Sequence, residues 1–124
     1  MKTFASIFCL AVTLTAAPAA LAHETHGQPQ FGGVVAEAGH AQFEVVARGG
    51  KVVVHASQHG EALDTAGASG KLTVLAGTDK HEIDLKPAGD DRLEGKGEVA
   101  AGARLLVSVQ FPGQKLMQAR AVAP

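Results

Sequence analysis

The 124 residues carry 11 Lys plus Arg against 12 Asp plus Glu, with 6 His and a formal net charge of −1 at pH 7, a length and balance that fit one domain and leave no room for a second. Five Phe with no Trp and no Tyr provide no stacking platform for a single-stranded nucleic acid, and the balanced charge provides no basic footprint for a duplex. Nucleic-acid binding is excluded on both grounds.

Residues 1–22 have the three parts of a secretory signal: the charged start Met1-Lys2, an apolar run from Phe4 to Leu14, and the small-residue end Ala20-Leu21-Ala22. The run is too short to span a bilayer. Cleavage after Ala22 is predicted to export residues 23–124, with no membrane span and, Lys2 being lost, a net charge of about −2. Cys9, the only cysteine, lies mid-way in the apolar run and away from any lipobox-like cleavage point, so it leaves with the signal. Thiolate zinc sites, iron–sulfur clusters, disulfide exchange and cysteine nucleophiles are then all excluded.

Residues 23–32 contain Gly27, Pro29 and Gly32 without apolar periodicity and are predicted to form a flexible arm bearing His23 and His26. Over residues 33–124, Gly and Pro cut the sequence into short apolar runs with no 3.6-residue period, a pattern that reads as all-β. The predicted strands are 33–37, 40–47, 51–57, 71–76, 80–85, 92–95, 104–110 and 116–122. This spacing predicts a single antiparallel β-sandwich, immunoglobulin-like or related, of seven to eight strands.

Three hairpins can be given a register, which decides which side chains meet. Gly49-Gly50 suits a two-residue type I′ or II′ turn and opposes Ala47 to Val52, Val45 to Val54 and Phe43 to Ala56 on one apolar face. The other face then pairs Val46 with Val53, Glu44 with His55 and Gln42 with Ser57, and, if the ladder continues, His40 with His59. A turn within Gly77–Lys80 matches Leu72 with Leu85 and Val74 with Ile83 and sets His81 beside Ala76. A three-residue loop at Pro112-Gly113 matches Val109 with Met117, Val107 with Ala119 and Leu105 with Ala121. Residues 58–70 and 87–102 read as connections between sheets, the second with a short strand around Leu93.

Histidine is the residue used out of proportion: all six, at 23, 26, 40, 55, 59 and 81, survive signal removal. Cleavage after Ala22 frees the α-amine of His23 beside its own imidazole, and two such nitrogens chelate a cation without help from the fold. A tetragonal nitrogen set suits Cu(II) or Ni(II), and His26 supplies a further imidazole from the same arm. An opposed cross-strand pair has Cβ atoms roughly 4.5–5.5 Å apart, so His40 and His59 can share one ion. His55 stands about 13 Å along the strand from His59, outside the same ligand shell, and is expected to make a polar pair with Glu44. His81 reads as a capped or half-buried structural histidine, and Met117 as core filling.

Enzymatic constellations are missing. His55-Ala56-Ser57-Gln58-His59 has the His spacing of a zinc-protease helix but lacks its Glu and lies in a β-patterned run, while His23-Glu24-Thr25-His26 is one residue short of that motif. Ser57 and Ser69 stand in no nucleophile elbow, and Asp90-Asp91 reads as a solvated turn.

The run Gly32-Gly33-Val34-Val35-Ala36-Glu37-Ala38-Gly39-His40, followed by Phe43-Glu44-Val45-Val46, Lys51-Val52-Val53-Val54, 67–75 and Ala101-Gly102-Ala103, resembles the small periplasmic β-domains found with bacterial heavy-metal, copper-type efflux systems, some of which precede the adaptor subunits of such pumps. The resemblance covers most of residues 26–122 and implies an exported, periplasmic, metal-handling domain of a Gram-negative envelope. Such domains often carry His directly before the double glycine, where this chain has Phe31. The sequence therefore predicts a non-enzymatic metal-binding protein with ligands His23, His26, His40 and His59, Cu(II) first and Zn(II) or Ni(II) as alternatives. It would act as a carrier, buffer or accessory of metal efflux. The competing reading is a metal-free interaction module whose sheet edge docks onto an efflux adaptor subunit.

Overall fold

The computed structural model describes residues 27–124, so the signal segment with Cys9, and His23 and His26 of the arm, lie outside the described residues. Nine strands follow in order: β1 (Val34–Ala38), β2 (Ala41–Arg48), β3 (Lys51–Gln58), β4 (Glu61–Ala62), β5 (Ser69–Ala76), β6 (Asp79–Pro87), β7 (Arg92–Lys96), β8 (Arg104–Gln110) and β9 (Met117–Val122).

The first four strands are joined by two-residue turns, each with the backbone its residues permit. Gly49 and Gly50 both have positive φ, the pattern of a type I′ turn, as do His59 (51°) and Gly60 (78°) between β3 and β4. Gly39-His40, between β1 and β2, has positive φ at the glycine alone, the pattern of type II′. Histidine is one of the few non-glycine residues that enters the left-handed region with any frequency, which is why His59 can lead its turn.

The predicted sandwich is corrected by the pairing. Round the molecule the strands run β1-β2-β3-β7-β6-β5-β8-β9 and return to β1, every neighbouring pair antiparallel, so the sheet closes into an eight-stranded barrel. The extra strand β4 pairs with β3 just beyond the point where β7 leaves it. Two seams with short ladders make the difference between barrel and sandwich: β1 and β9 share the one ladder pair Glu37–Arg120, and β6 and β7 share Lys86–Glu94 and Pro87–Leu93. At the second seam Gly95 lets the β6 backbone cross closely, since a Cβ on Gly95 would lie 2.4 Å from the Asp84 carbonyl oxygen.

Alternate residues fill the interior, as expected of an eight-stranded barrel just wide enough for side chains. Phe43, Val52, Val54, Leu72, Val74, Leu93, Val107 and Val109 are fully buried. The registers predicted for the β2–β3 and β8–β9 hairpins are those observed, although the chain between β8 and β9 spans Phe111–Leu116 rather than three residues. The β5–β6 hairpin is corrected: its turn is Gly77-Thr78, opposing Leu72 to Ile83 and Val74 to His81. Gly77 has a φ of 61°, so the turn settles where glycine takes its first central position.

Candidate functional site

His40 and His59 come together as predicted, but by a different route. The β2–β3 ladder stops at Ala41 and Gln58, and each histidine sits in the next turn, His40 between β1 and β2 and His59 between β3 and β4. Because β2 and β3 are paired, these two turns lie side by side at one end of the barrel. The imidazole centroids are 4.9 Å apart with planes inclined by 32°, and both residues are exposed. That separation lets one nitrogen of each ring reach a common ion at the about 2.0–2.1 Å typical of metal–imidazole bonds. Among the described residues no group of three His, Cys, Asp or Glu side chains is placed to hold a metal.

Gly27, the first described residue, lies against the Glu37 side chain, so close that a Cβ there would start 2.8 Å from Oε1. Glu37 pairs with Gln42 across the β1–β2 hairpin and stands two residues from its turn. The arm therefore enters the barrel beside the turn that carries His40.

His55 stands on β3, four residues before His59, among different partners. It faces Glu44 across β2 and β3, as predicted, but the expected polar pair is not made. The Glu44 carboxylate, on a residue only 6% exposed, accepts backbone N–H bonds from Gln30, Phe31 and Gly33. His55 instead stacks on Phe31, and its Nδ1 lies 3.4 Å from Asp91 Oδ2 without hydrogen-bond geometry. These groups line a cavity of about 160 Å³ together with Gln42 and Ser57.

Sequence reasoning missed the roles of Phe31, Glu44 and Asp91. The available signal was a lone carboxylate between Phe43 and Val45, facing a segment whose backbone donors needed acceptors once laid on the sheet. His81 is exposed and opposite Val74, with Nε2 2.9 Å from the Glu98 carbonyl oxygen: a capped side chain on the barrel rim, away from the His40–His59 turns. Met117 packs against the core opposite Val109.

Comparison with protein-family models, with curated proteins and with solved structures gives no match.

Proposed function

We propose that the chain is an exported transition-metal-binding protein, Cu(II) first and Zn(II) or Ni(II) as alternatives, that acts in the periplasm as a carrier, buffer or accessory of metal efflux. The observation that carries this reading is the pair of exposed imidazoles of His40 and His59, 4.9 Å apart on adjacent turns. Two imidazoles held on adjacent turns at one end of the barrel make half of a nitrogen site for a borderline metal.

The other half would come from the arm. His26 is one Cα step, about 3.8 Å, from Gly27, which itself lies beside Glu37, and His23 with its free α-amine is three residues further on. Imidazoles from the arm and from the turns would together approach the four-nitrogen set that Cu(II) takes. The sequence resemblance to heavy-metal efflux domains points the same way.

Competitive Cu(II) titration of protein beginning at His23, against the same protein with one extra residue before His23, tests the reading. One equivalent is expected to bind, more weakly in the extended form, because the extra residue converts the amine to an amide. Equal affinity in both removes the arm chelate and leaves the turn pair. If neither form binds Cu(II), Zn(II) or Ni(II) at neutral pH, the metal reading is overturned in favour of an interaction module.

A further inference from the structure

The outer face of β5, β8 and β9 carries a groove of about 710 Å³, far from the histidine turns in character and chemistry. The barrel register sets its lining in two rows. Leu75, Arg104 and Val122 stand abreast in one, and Thr73, Leu106 and Arg120 in the next, while Lys80 of β6 lies opposite Leu75. Their strand neighbours Val74, Leu105 and Val107 are core residues, so the period of two turns all six side chains outward.

The floor is apolar. Leu75 and Leu106 are half-buried and Val122 is 58% exposed, a contiguous patch on a barrel whose other outward positions are mainly polar. The rim is cationic, and its charges are unspent. Lys51, Lys71 and Arg92 each make an ion pair, whereas Lys80, Arg104 and Arg120 make none among the described residues. Glu82, opposite Thr73, is engaged by Lys71 at 3.2 Å. Glu37 opposes Arg120 across the β1–β9 seam, but the two are not within ion-pairing distance, and Glu37 accepts from Gln42 instead.

Three cations without ion-pair partners among the described residues line one apolar groove, and an anion joining them would offset their mutual repulsion. The groove has the volume of a small-molecule site, in the range of about 300–1,000 Å³. Because β5 and β8 are paired on both sides, their backbones offer no ladder to an added peptide strand, and over these two strands recognition rests on side chains. We propose that this groove binds a long-chain carboxylate, a single alkyl tail ending in one anionic head. The tail lies over Leu75, Leu106 and Val122, and the carboxylate is held by Arg104 or Arg120, whose forked guanidinium matches its two oxygens.

Calorimetric titration of periplasm-purified protein with dodecanoate, kept below its micelle-forming concentration, tests the proposal. Saturable one-to-one binding is expected, with dodecyltrimethylammonium binding at least tenfold more weakly because its head meets the same three cations. The double variant Arg104→Gln, Arg120→Gln is expected to lose at least tenfold in affinity while keeping its circular dichroism spectrum. Should that variant fail to fold, Lys80→Gln serves instead, with a several-fold loss expected. Absence of saturable dodecanoate binding overturns the proposal. So does equal binding of the cationic detergent, which marks a merely greasy surface, or binding to phosphatidylglycerol vesicles without binding of the free carboxylate, which marks a membrane-contact face.

Discussion

The imidazole of His55 lies flat against the ring of Phe31, with centroids 3.7 Å apart and planes 11° from parallel. With the three N–H bonds that Glu44 accepts from Gln30, Phe31 and Gly33, this stack fastens the approach to β1 onto the outer face of β2 and β3. A carboxylate that would otherwise be stranded on a sheet is buried by the segment it holds.

Glu44→Ala is expected to cost about 1.5–3 kcal/mol, the range for hydrogen bonds to a charged group. Urea denaturation measures the loss. Faster amide exchange at Gln30, Phe31 and Gly33, ahead of any change in the barrel strands, localises it. Phe31→Leu removes only the aromatic contact and should cost less, about 0.5–1.5 kcal/mol.

Gly95→Ala should destabilise by about 1–3 kcal/mol or more, since the new methyl meets the Asp84 carbonyl oxygen at 2.4 Å and the backbone there is held by the β6–β7 seam. Gly97→Ala meets only the Ile83 side chain, at 2.5 and 2.6 Å, which can turn aside. Thermal unfolding of the two variants should therefore rank Gly95→Ala as the more damaging.

His40→Ala and His59→Ala are each expected to weaken Cu(II) binding, and the double variant to be little worse than either, as for two ligands of one ion. Metal competition assays check this. His55→Ala and His81→Ala should leave affinity unchanged; a large effect at either would relocate the site.

Affinity for Cu(II) should fall as pH drops from about 7.5 to about 5.5, because protons and metal compete for the same imidazole nitrogens and histidine in general changes charge between about pH 5 and 8. The sign follows directly: acid favours the protonated, non-coordinating form. Carboxylates in general protonate near pH 4, below this interval, so a flat profile in a pH-stepped titration would rule out histidine ligation.

Much of the local structure was legible in the sequence, because turn chemistry and the period of two constrain the same strands. Gly49-Gly50 placed Phe43 against Ala56 and Val45 against Val54. The β5–β6 register slipped because opposing Leu72 to Leu85 or to Ile83 buries the same faces; only the positive φ of Gly77 separates the two. Closure was not legible, since it depends on one residue pair at Glu37–Arg120 and two at Lys86–Pro87 with Leu93–Glu94, too few to leave a pattern. The two-residue β4 was hidden for the same reason. The pairing of His40 with His59 was reached from register, but their placement in turns was not, because the His59-Gly60 reversal ends the ladder one residue early.

The narrowness of the β1–β9 seam has a bearing on how the chain folds. Strands β1 to β4 are consecutive neighbours through two-residue turns, so their pairing involves short loops and can form early. The Glu37–Arg120 ladder pair joins strands from opposite ends of the described chain, so it closes a long loop and adds a single rung of sheet pairing in return. That seam is therefore expected to form late in folding and to part early in unfolding. Amide exchange under native conditions should accordingly reach the seam before the β2–β3 ladder.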